Sequence, residues 1–139
     1  MVILGVDYGD VRTGIASCDA GGILASPVCT LRETDARRLA EKIAEIAREK
    51  RAAMIVLGNP KNMDSSEGFR SEKTAAFKEL LSEVTGLPVV LRDERLSTVL
   101  ANALLHEGKK YGRKNRKAID AASAAVILQG YLDEQKINS

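Results

Sequence analysis

Apolar residues open the chain as a block. Val2, Ile3, Leu4 and Val6 crowd residues 1–8, which predicts a buried first strand. Residues 12–18 form a second, shorter segment in which Ile15 and Ala16 are apolar, and the DAGG turn at 19–22 leads to a third strand over 23–31. Links this short predict an antiparallel meander. The period then changes. Over 35–51, Leu39, Ile43, Ile46 and Ala47 fall on one helical stripe with charges elsewhere. AMIVLG, 53–58, is a continuous apolar run of the kind that suits a strand covered on both faces.

NPKNMDSSEGFR, 59–70, reads as a polar loop. Phe77, Leu80, Leu81 and Val84 restore helical spacing, and Gly86 and Pro88 stop that helix. Residues 89–92 are another buried strand, ending in DERLS. Ser97 is placed to cap a helix running to 107, with Gly108 as its stop. An Ala-rich last helix follows over 118–134. The order βββ-α-β-α-β-α-α predicts an α/β fold: a mixed five-stranded sheet, part meander and part parallel crossovers, flanked by helices.

Length and composition narrow this picture. The 139 residues suit one domain, enough to bury about two-thirds of the unfolded surface. Aromatic residues make up only 4% and Trp is absent, so the core must be aliphatic. Cys18 and Cys29 lack metal-ligand spacing and His106 is the only histidine, which argues against a zinc site. On the expected hairpin the two cysteines sit at opposite ends, so no disulfide is expected. No signal-peptide core and no apolar run of membrane length is seen, and the expected location is the cytoplasm.

Charge matters by position. The net charge is only +2, yet KKYGRKNRK, 109–117, holds six cations in nine residues and no acid. A charge run is usually a solvated loop. This one directly precedes an acid of the last helix, and Tyr111 is interleaved to stack on a base, so nucleic-acid contact is expected through Lys109, Lys110, Tyr111, Arg113, Lys114, Arg116 and Lys117.

The acids then fall into place. Asp7 ends strand one; Asn59 follows strand four; Asp93 and Glu94 follow strand five. If these strands run parallel, their ends share one rim, where ligand sites of such sheets gather. Asp120 lies in the first turns of the last helix, beside Ala121, Ala122, Ser123, Ala124 and Ala125, whose small size would let the helix approach the sheet. Carboxylates meeting at a rim call for a divalent cation, and all-oxygen ligands suit Mg²⁺ or Mn²⁺. Two such ions clamp the attacking water and the leaving oxygen of a phosphodiester. Gly5 and Gly9 are then expected to leave room for a phosphate backbone beside Asp7. Arg12 has two open roles, pairing with an acid or meeting a phosphate.

Four stretches resemble the motifs of the YqgF/RuvX family, in family order: GVDYGDVRTGIA at 5–16, LGNPKNMDSSEG at 57–68, DERLST at 93–98 and KAIDAASAAVILQGYLD at 117–133. The resemblance implies an RNase H-like fold and a nuclease domain over residues 1–139, with the family's acids at Asp7, Glu94 and Asp120 as catalytic metal ligands. It implies maturation of the 5′ end of pre-16S rRNA, or, as the alternative, resolution of Holliday junctions in branched DNA, which would require a dimer. Asn59, Lys61, Ser65 and Ser123 depart from the family's usual residues. Two rivals remain at this point. Gly-x-Asp-x-Gly also opens the phosphate loop of actin-like ATPases, for which 139 residues leave no second domain. The other is a non-catalytic RNA-binding or transcription-associated protein.

Overall fold

The computed structural model describes residues 1–59, 67–93 and 116–138. Five strands form one sheet: β1 (Val2–Asp7), β2 (Arg12–Cys18), β3 (Ala25–Arg32), β4 (Ala52–Asn59) and β5 (Val89–Asp93). Three helices accompany them among the described residues: α1 (Ala36–Lys50), α2 (Glu67–Thr85) and α3 (Arg116–Asn138).

The spatial order is β3-β2-β1-β4-β5. The first three strands pair antiparallel, and β4 and β5 run parallel to β1. Linker length explains the switch. The β1–β2 and β2–β3 links have room only for turns, whereas α1 and α2 supply the long crossovers that parallel neighbours need.

Alternation along the strands divides the core in two. Leu4, Val6, Ile15, Ile55 and Leu57 face Leu39 and Ile43 of α1 and Phe77 and Leu81 of α2. Ile3, Ala16, Cys18 and Val56 face the other way, against Ala124, Ile127, Leu128 and Leu132 of α3. The unbroken apolar run of β4 follows, because a strand covered on both faces has no polar side. Burying each of these larger aliphatic side chains contributes roughly 1.5–3 kcal/mol.

Helix α1 is bounded as its sequence predicts. The Asp35 carboxylate accepts from the Arg37 N–H at 3.1 Å, capping the start. At the other end Arg51 adopts the left-handed conformation, φ 56°, and its N–H closes on the carbonyls of Ala47 and Arg48.

Two boundaries differ from the sequence reading. β3 starts at Ala25, not at residue 23, because the Asp19 carboxylate accepts from the N–H groups of Ile23 (2.7 Å) and Leu24 (3.3 Å) and holds both in the turn. The same two bonds hold the Asp19 carboxyl below the usual carboxylate range. Helix α2 starts at Glu67, inside the stretch read as loop. One glycine, Gly68, does not outweigh the good helix formers that follow it. The helix expected over 97–107 lies outside the described residues.

Both cysteines are free. Cys18 lies opposite Ala25 at one end of the β2–β3 ladder, whereas Cys29 lies opposite Ile15 at its middle and not at the far end; the two pack against different faces of the sheet. The buried Cys18 sulfur accepts from the Ile3 N–H at 3.2 Å. Among the described residues no helix is long and apolar enough to cross a membrane.

Candidate active site

The strand ends share a rim. Val6 lies beside Leu57, and Asn59 beside Asp93, in parallel register. Asp7 closes β1 at that level. Ile3 and Gly5 face α3 while Leu4 and Val6 face away, so alternation assigns Asp7 to the α3 side.

Directly across the ladder from Asp7 is Gly14. Helix α3 crosses the sheet at this point. A Cβ on Gly14 would collide with the main chain of Asp120 and Ala121. One on Gly5 would stand 2.8 Å from the Ala124 carbonyl oxygen and from Leu128 Cβ. The two glycines thus let the helix backbone rest on the strands. Directly opposed residues in such a ladder stand about 4.5–5.5 Å apart at Cα. Asp7 is therefore one strand away from the residue on which Asp120 sits.

This corrects one expectation. The space beside Gly5 is filled by α3, and a Cβ on Gly9 would collide with the Arg12 carbonyl within the turn. Neither glycine keeps room for a phosphate; both serve close packing of the protein against itself. The small residues of α3 are only half of the approach, and the sheet supplies the other half.

The turn after Asp7 is fixed from three directions. The Thr13 hydroxyl, fully buried, accepts from the Gly9 N–H at 3.3 Å and donates to the Gly9 carbonyl at 3.4 Å. Lys73 of α2 forms an ion pair with Asp10. Tyr8 stacks on Phe77 of α2, with ring centroids 4.2 Å apart and planes inclined by 5°.

Arg12 faces the last helix. Its Nε stands 3.3 Å from Asp120 Oδ2, with the two side chains 37% and 25% exposed. Of the two roles open to Arg12, pairing with an acid is the one this structure contains. A positive charge thus already sits against Asp120, whose main chain rests on Gly14, the ladder partner of Asp7.

The structure thus brings Asp7 and Asp120 together with Arg12. Arg116 and Lys117 open α3. Glu94, Lys109, Lys110, Tyr111, Arg113 and Lys114 lie outside the described residues, as do Ser97 and His106. Among the described residues no group of three or more His, Cys, Asp or Glu is arranged to hold a metal. Sequence reasoning missed Gly14, Thr13 and Lys73. The signal for the first two was present in RTG, where a small residue and a hydroxyl follow Arg12 inside a buried strand.

Comparison with known proteins adds the following. A family model described as "RuvX: Holliday junction resolvase" matches residues 1–134. A protein of Thermoanaerobacter pseudethanolicus named "Putative pre-16S rRNA nuclease" is 39% identical over 137 residues, covering 98% of this chain and 99% of its own. One of Clostridioides difficile with the same name is 42% identical, covering 99% and 96%. Among solved structures, T. thermophilus RuvC in complex with Holliday junction substrate superposes with a TM-score of 0.62 at 14% identity, over 98% of this chain and 96% of that one. The Fowlpox virus resolvase in complex with Holliday junction DNA gives 0.52 at 12% identity, over 97% and 99%. These two likenesses show the fold, which is RNase H-like, as the motifs implied.

Proposed function

This chain belongs to the RuvX family, and from that premise we propose that it is a single-domain, Mg²⁺- or Mn²⁺-dependent endonuclease that hydrolyses phosphodiesters in structured nucleic acid. Its proposed substrate is the 5′ end of pre-16S rRNA, the activity for which its full-length relatives are named. The observation that carries the reading is the pairing of Asp7 with Gly14, the residue on which Asp120 rests.

The donor set fits the metal. Asp7 and Asp120 offer only carboxylate oxygens, the chemistry hard divalent cations prefer. The Arg12 guanidinium at 3.3 Å from Asp120 marks the spot as one that attracts positive charge. Glu94, next in sequence to the end of β5, is the third proposed ligand. Bound there, the metal supplies Lewis acidity that activates water and neutralises charge on the phosphodiester.

The remaining roles belong to the chain itself. Thr13 and Lys73 hold the turn that presents Asp7. Lys109, Lys110, Arg113, Lys114, Arg116 and Lys117 steer and grip the phosphate backbone, and Tyr111 stacks on an unpaired base.

The family description favours a second reading, resolution of four-way DNA junctions. Such an enzyme makes two symmetric cuts and so acts as a dimer with two-fold-related sites. One experiment separates the readings: Mn²⁺-dependent cleavage of labelled pre-16S 5′-end RNA beside a four-way junction, by wild type and Asp7→Asn. RNA cut by wild type alone supports the rRNA reading, whereas junction cutting alone transfers the site to a resolvase. Tight RNA binding with no turnover in any divalent metal would make it a binding protein.

A further inference from the structure

The contact between Arg12 and Asp120 joins the first residue of β2 to the second turn of α3. Its ordinary reading is a tether for the helix. The packing argues otherwise. Ala121, Ala124, Ile127, Leu128 and Leu132 are already buried beneath α3, and its main chain already rests on Gly5 and Gly14. The pair is part-exposed through Arg12, although Asp120 Oδ2 itself is covered, and a helix already docked in this way does not need it as a tether.

Its position suggests another task. Asp120 Oδ2 is the oxygen Arg12 holds, and the Asp120 main chain rests on Gly14, the ladder partner of Asp7, so the proposed site brings both acids to one rim. Converging carboxylates repel unless a cation stands between or beside them. Arg12 provides that cation from within the chain. A divalent ion seeking the same oxygen must compete with the guanidinium, and two cations do not share one carboxylate oxygen without mutual repulsion.

We propose that Arg12 is the resident counter-ion of Asp120 and that a divalent cation must evict it to bind. This rests on the metal-site reading above. Arg12 is then a positioning residue: it keeps the Asp120 carboxylate aimed into the site when no metal is there and sets the concentration at which metal enters. The two events oppose each other, so whatever weakens the pair strengthens metal binding by the same factor.

The test is Mn²⁺ binding by calorimetry, without nucleic acid, to wild type, Arg12→Gln, Arg12→Lys and Asp7→Asn, each checked for fold by circular dichroism. Arg12→Gln is expected to bind Mn²⁺ about fivefold or more tightly. Arg12→Lys, which keeps the charge, should stay near wild type. A tether alone would leave affinity unchanged or lower it. Equal or weaker binding by Arg12→Gln, with wild type binding and Asp7→Asn not, overturns this proposal and leaves the metal site standing. No binding by either wild type or Arg12→Gln overturns both. A second measurement needs no variant. In arginine-labelled wild type, the Arg12 Nε–H resonance should move on Mg²⁺ saturation while the other arginine resonances stay; a stationary Arg12 signal overturns the proposal.

Discussion

Gly14 lies directly beneath the main chain of Asp120. No side chain fits between them, so the helix can be moved by a single substitution. Gly14→Val is expected to lift the first turns of α3 and destabilise the fold by roughly 1–3 kcal/mol, the usual cost of overpacking. Activity should fall further than stability explains, by about 10²-fold, since displacements near 1 Å cost that much in positioned chemistry. Melting curves and Mn²⁺-dependent cleavage, measured on the same preparation below its melting temperature, check both halves. A Gly14→Val protein of normal activity would show that the seat of α3 on Gly14 does not set the site.

Thr13 makes a different prediction. Its buried hydroxyl satisfies both the N–H and the carbonyl of Gly9. Thr13→Val keeps the shape and leaves those two groups without that partner, at an expected cost of about 1–3 kcal/mol in urea denaturation. Thr13→Ser keeps the hydroxyl and should recover most of the loss. Equal losses in the two variants would point to the methyl group instead.

The acid limb of stability should carry the mark of Glu33. This carboxylate stands 3.0 Å from Lys42 Nζ and accepts from the N–H groups of Thr34 and Asp35. The Lys42 ammonium, ahead of the backbone bonds, holds its carboxyl below the usual range. A group whose folded-state pKa is depressed stabilises the fold above its unfolded pKa and loses that contribution as pH falls through the folded value. Wild type should therefore exceed Glu33→Gln in stability at neutral pH, with the gap closing below about pH 4. A gap that persists unchanged at pH 3 would refute the assignment. Denaturant titrations from pH 7 to pH 3 supply the comparison.

Arg51 offers a stabilising change. It ends α1 at φ 56°, a conformation that costs a residue with a Cβ roughly 1 kcal/mol and glycine almost nothing. Arg51→Gly is expected to raise stability by about 0.5–1 kcal/mol, read from the same denaturant curves. A loss of stability would show that the arginine side chain supplies more than its backbone strain costs.

Much of the fold was legible because hydrophobic period reports burial directly. The run AMIVLG could only be a strand covered on both faces, and β4 is the strand next to β1 on the parallel side of the sheet. The rim was legible too, since parallel strands ending in Asp7, Asn59 and Asp93 must end together. What could not be read was register. Whether Asp7 faces Thr13, Gly14 or Ile15 depends on how many residues the turn consumes, and Thr13 sets that by clamping Gly9. Hence Gly5 and Gly9, the conspicuous glycines beside Asp7, drew the attention that belonged in part to Gly14. Ile23 and Leu24 misled for a related reason. They are apolar enough for a strand, yet the Asp19 carboxylate, four and five residues upstream, accepts from their N–H groups.

The seat of α3 on β1 and β2 has a consequence for the order of events in the cell. One proposed ligand stands on the first strand and another on the last described helix, and that helix is also the cover of one face of the sheet. A growing chain that has made everything but α3 has Asp7 in place and no Asp120, and the apolar face that α3 should cover is bare. Folding and arming are then one step. On the proposed metal site, a half-made chain would lack its second ligand, because the helix that completes the core also brings in Asp120.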